Sequence, residues 1–154
     1  MANYKKIFDK KIDKYGQSAI LHKYIPGTRC TCYDESTGYC DPQWHRDNPT
    51  EPECNEEGYL DGSTEQTPLK AFIFPSSDLN RKLVDEVVLS SIGKIDKDDY
   101  IYVGKSDVDI FNLDIDIDYL EHNNKKWQII NPDSYKIGDI DIIYIAKLKL
   151  LGDV

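Results

Sequence analysis

Residues 139–151 read DIDIIYIAKLKLL, and the order of apolar and charged side chains in this stretch decides what kind of fold the chain can adopt. Side chains on an extended strand point alternately to its two faces. Ile140, Ile142, Tyr144, Ala146, Leu148 and Leu150 therefore share one face, and Asp139, Asp141, Ile143, Ile145, Lys147 and Lys149 the other. The second face is charged at its ends but apolar at Ile143 and Ile145, so the middle of the strand needs cover on both sides. A central barrel strand satisfies this, as does a strand covered on its outer face by a helix or by a neighbouring subunit.

Segments before it carry the same β character. DDYIYVG (98–104), LDIDIDYLE (113–121) and KWQIIN (126–131) are rich in Ile, Tyr and Val, and turn-forming HNNK (122–125) and NPDSYKIGD (131–139) separate the later ones. Consecutive antiparallel strands are the simplest arrangement. Val108 and Ile110 are apolar at even positions, whereas Leu113, Ile115 and Ile117 are apolar at odd ones. The phase change predicts a bulge, bend or tight turn near Phe111 and Asn112.

Towards the N-terminus the period changes. Tyr4, Ile7, Phe8, Ile12 and Tyr15 recur at three- and four-residue spacings, which predicts an amphipathic helix over 4–15 that ends at Gly16. QSAILHKYI (17–25) reads as a strand, PLKAFIFP (68–75) as a short one bounded by prolines, and SSDLNRKLVDEVVLSS (76–91) as a further helical segment behind a Ser77 cap. The expected fold class is mostly β (α+β), in one domain over 1–154 with residues 28–67 as an insertion.

All four cysteines fall within RCTCYDESTGYCDPQWHRDNPTEPEC (29–54), a stretch too polar to build its own core. Loops of this length need an internal organiser. Four thiolates complete a tetrahedral zinc site. Cys30 and Cys32 are too close in sequence to bond each other comfortably, so zinc is favoured over disulfides and over unligated thiols. The ligand set read from the sequence is Cys30, Cys32, Cys40 and Cys54, with His45 as the alternative fourth ligand. A site closed by four protein ligands is structural, because a catalytic zinc keeps an open position for water.

Several functions are disfavoured. The chain has 154 residues and a formal net charge of −9, the reverse of the clustered positive charge expected of a nucleic-acid binder. No apolar run reaches the roughly 20 residues of a spanning helix, so no membrane partner is expected. The first residues, MANYKKIFDKKIDKYG, lack the apolar core of a secretory signal, which points to synthesis in a cytoplasm. Asp114, Asp116 and Asp118 resemble a cation site only superficially, since no stretch has calcium-loop spacing; they read as a solvated strand face. No nucleophile elbow, phosphate loop or two-histidine metal helix is present, so no catalytic residue is assigned and no enzyme is expected. His22, His122, Trp44 and Trp127 read as packing or satisfied side chains.

The segment from about Pro68 to Leu150 resembles the head-closure, or stopper, proteins of tailed bacteriophages. The likeness is carried by LKAFIFPSSDLNRKLVDEVVLSSIGKIDKDDYIYVG (69–104), with Gly93, Ile95, Asp98 and Asp99 in a G-x-I-x-x-D-D approach to a strand. It continues in KKWQIINPDSYKIGDIDIIYIAKLKLL (125–151), with Trp127 and Ile129 as W-x-I and Tyr135 and Gly138 as Y-x-x-G. CTCYDESTGYCDPQWHRDNPTEPECNEEGYL (30–60) is similar to the cysteine-bearing insertions of some phage connector proteins, with Glu56 and Glu57 departing from their glycine-rich turn. The resemblance implies a small antiparallel β-barrel that forms a homo-oligomeric ring in the virion neck, between a portal or adaptor ring and the tail. Such a ring closes the channel after packaging and lets double-stranded DNA pass without sequence-specific binding. Alternatives are a zinc-ribbon-type nucleic-acid or protein binding module, another connector component such as an adaptor or tail-completion protein, and a metallohydrolase with an open zinc.

Overall fold

The computed structural model describes residues 2–76 and 98–154. Helix α1 (Ala2–Tyr15) is followed by β1 (Gln17–Ile25), and at its end the Gly16 N–H donates to Ile12 O at 2.8 Å. A series of short elements comes next: β2 (Thr28–Arg29), β3 (Tyr33–Asp34), β4 (Tyr39–Cys40), α2 (Pro42–Asp47) and β5 (Tyr59–Leu60). Then come β6 (Ser63–Pro75), β7 (Tyr100–Lys105), β8 (Tyr119–His122), β9 (Lys125–Ile137) and β10 (Ile140–Asp153). The helix expected after Pro75 lies outside the described residues.

Six strands close into an antiparallel barrel in the order β1-β6-β7-β10-β9-β8, so the expected mostly β class and barrel are observed. The chain forms two compact units, residues Met1–Lys23 with Gln66–Val154, and Tyr24–Glu65. Among the described residues no helix is long and apolar enough to cross a membrane.

The two-sided pattern of 139–151 has its explanation in β10. Tyr144, Ala146 and Leu148 belong to the barrel interior, with Leu21, Ala71, Ile73, Tyr102, Leu120, Trp127 and Ile129. Ile143 and Ile145 belong to a second cluster with Ile12 and Phe8 of α1 and with Ile101 and Val103 of β7. The helix is therefore the outer cover. Burying one Ile side chain such as Ile12, which is 0% exposed, contributes roughly 1.5–3 kcal/mol.

Three local expectations need correction. LDIDIDYLE is not a strand throughout, because β8 begins only at Tyr119. Asp118 Oδ2 accepts from the Asp114 N–H at 2.8 Å and Asp114 Oδ1 from the Asp116 N–H at 3.0 Å. Aspartates that bond nearby backbone in this way favour turns over sheet ladders. NPDSYKIGD is not one long turn either, since β9 continues to Ile137. It passes Asn131 (φ 49) and Pro132 as a bulge opposite Ala146, and the reversal is confined to Gly138 and Asp139. A proline has no N–H to give a ladder, and a bulge needs none there. The strand at PLKAFIFP starts earlier than expected, at Ser63. The predicted break near Phe111 and Asn112 is observed as a bend, and HNNK is a two-residue hairpin turn with Asn123 and Asn124 at φ 52 and 59.

Candidate metal centre

Residues Tyr24–Glu65 have almost no apolar interior. Their only buried side chains are Cys30 and Cys32. The backbone is arranged as two small ribbons, β2 with β5 (Thr28 opposite Leu60, Arg29 opposite Tyr59) and β3 with β4 (Tyr33 opposite Cys40, Asp34 opposite Tyr39). Cys30 and Cys32 stand in the turn between β2 and β3, where the Cys30 N–H donates to Gly58 O and the Asp41 N–H to Cys32 O, both at 2.8 Å.

His45 is brought in by α2. Asp41 caps this short helix, its side chain accepting from the Gln43 N–H at 2.9 Å, and Pro42 occupies the first turn, where a missing N–H costs nothing. Trp44 is half-buried and meets the His45 ring edge-on, with centroids 5.0 Å apart. Cys54 lies just ahead of a turn in which Asn55 Oδ1 accepts from the Glu57 and Tyr59 N–H groups at 3.1 and 2.9 Å. Gly58 ends that turn at φ 82, and a side chain there would press on Cys40 Sγ. Asn55 and Gly58 thus bracket an Asn-x-x-Gly turn. Arg29 lies between Tyr33 and Tyr59, 3.8 and 4.1 Å from the ring centroids, and donates to Glu57 O at 2.6 Å, tying the ribbons together.

The donor atoms of Cys30, Cys32, His45 and Cys54 all lie within 4.8 Å of one another. Cys32 Sγ is 3.4 Å from Cys54 Sγ, and His45 Nε2 is 3.5 Å from both Cys30 Sγ and Cys54 Sγ. Cys40, expected as the fourth ligand, has its Sγ 3.8 Å from Cys54 Sγ and stands outside the mutually close four, which include His45 instead. Zinc bonds of about 2.3 Å to sulfur and about 2.0 Å to nitrogen put tetrahedral ligand atoms roughly 3.5–3.8 Å apart. The 3.4–3.5 Å separations of Cys32 from Cys54 and of His45 from Cys30 and Cys54 lie close to that spacing, and three thiols with one imidazole suit a borderline-soft ion. The cluster can hold a metal ion.

The thiols influence one another's ionisation. Burial pushes the Cys32 thiol up, and contacts with Cys30, Cys40 and Cys54 add to the effect. Cys54 is raised as well, by burial first and then by Cys40 and Cys30. At Cys30 burial also acts upward, but hydrogen bonds from the Cys32 backbone and side chain outweigh it and hold the thiol below its usual value. Of the three thiols, Cys30 is thus the most readily ionised. A bound divalent ion deprotonates its thiol ligands.

Other candidate residues serve structure. His22 Nε2 is 2.7 Å from Glu121 Oε2 and its ring stacks on Tyr119, while His122 Nδ1 is 3.0 Å from Ser18 O. Trp127 is buried against Tyr100, its indole N–H donating to His122 O. Asp114 and Asp116 are exposed in a turn. Sequence reasoning missed the supporting roles of Arg29, Asn55 and Gly58, although Asn and Gly three residues apart are a turn signal. No protein-family model matches the chain, and neither a curated protein nor a solved structure matches it significantly.

Proposed function

We propose that this protein is a structural component of a tailed-phage neck, a head-closure subunit that forms a ring, closes the DNA channel after packaging and presents a docking surface to the tail. The observation that carries this reading is the closed six-strand antiparallel barrel, most of which is built from the segment on which the resemblance rests. The charge of −9 is compatible with a channel that DNA traverses without sticking. The partners are then further copies, a portal or adaptor ring and tail proteins, the location is the virion neck, and the subunit is not an enzyme. Mass spectrometry of purified necks, from a phage whose portal, capsid and tail genes surround this one, should find the chain in stoichiometric amount. Its gene standing in a metabolic operon, with no phage genes beside it, would end the proposal.

In the same reading the ion is a structural zinc held by Cys30, Cys32, His45 and Cys54, with Cys40 a neighbouring thiol outside the shell. Four protein ligands leave no position for an activated water. Cobalt substitution tests the assignment, because sulfur-to-cobalt absorption scales with the number of bound thiolates. Cys40→Ser should keep the full absorption and one equivalent of metal, whereas His45→Ala should weaken binding. The opposite outcome restores Cys40 as the fourth ligand. A second reading, a zinc-ribbon binding module, is favoured by the two short ribbons framing the cluster. It requires DNA or RNA binding that weakens as salt rises.

A further inference from the structure

In a chain with net charge −9, α1 carries Lys5, Lys6, Lys10, Lys11 and Lys14, and its two carboxylates are neutralised within the molecule. Asp9 pairs with Lys5 at 3.2 Å and Asp13 with Lys105. Lys6, Lys10, Lys11 and Lys14 are exposed and form no ion pair among the described residues. Beside them are exposed apolar side chains, Tyr4 at 55%, Ile7 at 45% and Tyr15 at 64%, flanking the row of Phe8 and Ile12 that the helix buries. A lysine-framed apolar stripe of this kind fits a partner surface that is acidic and apolar together.

The same chain has such a surface in the segment leading to β8. Phe111, Ile115 and Ile117 are exposed at 41, 54 and 38%, interleaved with exposed Asp109, Asp114 and Asp116. The segment is held in place by its internal aspartate turns, by Gln128 Nε2 donating to Ile115 O at 2.9 Å, and by Phe111 packed edge-on against Tyr144. We propose that α1 of one copy docks on residues 109–117 of a second copy, lysines against aspartates and Tyr4, Ile7 and Tyr15 against Phe111, Ile115 and Ile117. Lys5 Nζ lies 2.7 Å from Asp107 Oδ1 within one chain, so the helix start and the acidic segment are neighbours. Repeated from each copy to the next, helix against acidic segment, the contact is heterologous and can close into a ring. The proposal rests on the assembly reading in that it names which surface joins the copies.

Sedimentation velocity on the full chain tests it. The wild-type protein should self-associate at low salt, and Lys10→Glu with Lys11→Glu, or Asp114→Lys with Asp116→Lys, should each weaken association by about tenfold or more. Mixing the two variants should restore it, because each reversed helix then faces a reversed acidic segment. All four positions are exposed, and unchanged melting curves would show that the variants fold. A chain monomeric at every concentration and salt, or an oligomer indifferent to both reversals, overturns the contact. Neither result touches the neck assignment, which is decided by the composition of purified necks.

Discussion

At the scale of single residues, the tightest constraint in the barrel is Gly104, beside the buried ring of Tyr102. A methyl group added at Gly104 would run into that ring, and Tyr102, 1% exposed, has nowhere to swing. Gly104→Ala should therefore destabilise the protein by about 1–3 kcal/mol, read as a lower melting temperature. Adding Tyr102→Leu should recover part of the loss, whereas Tyr102→Phe should not, because the ring and not only its hydroxyl is in the way. The candidate metal centre is a different kind of residue problem. Its ligand types were legible in the sequence, since cysteine and histidine in a loop without a core have few other uses. The fourth position was not, because it depends on how far α2 carries His45 towards Cys54, and spacing along the chain does not contain that distance.

Among the elements, α1 and β10 depend on each other. The sequence of β10 showed that Ile143 and Ile145 needed cover without saying whether a helix or a second subunit supplied it; Ile12 and Phe8 supply it. Ile12→Ala should cost about 2–5 kcal/mol, measured by denaturant unfolding, because it opens a cavity between the helix and the outer face of the barrel. The exposed Ile7→Ala should cost far less. Strands were legible where alternation reflected burial, as in Gln17–Ile25, which the structure keeps from end to end. They were misread where alternation had another origin. In LDIDID the aspartates alternate with isoleucines because they bond their own backbone, and in NPDSYKI the proline marks a bulge within a strand and not its end. Local composition cannot separate these cases, since both depend on what lies opposite.

For the molecule as a whole, the two compact units rely on different sources of stability. The barrel unit has two apolar clusters, one inside the closed sheet and one beneath α1. The unit over Tyr24–Glu65 buries only Cys30 and Cys32 among its side chains, and its two ribbons pair through two residues on each strand. Structural zinc contributes about 10–16 kcal/mol in zinc-finger peptides at neutral pH, far more than such ribbons can supply from packing. With the proposed zinc bound, a strong chelator should therefore release residues 24–65 selectively. Limited proteolysis should then cut between Tyr33 and Glu57, while the main melting transition, set by the barrel, persists. Cys54→Ser should reproduce the chelated state without chelator, because Cys54 Sγ lies 3.4 Å from Cys32 Sγ and 3.5 Å from His45 Nε2. If the chelated protein resisted cleavage in this unit, the metal would not be what holds it. If the barrel melted together with it, the two would form one cooperative system and the division of stability argued from burial would fail.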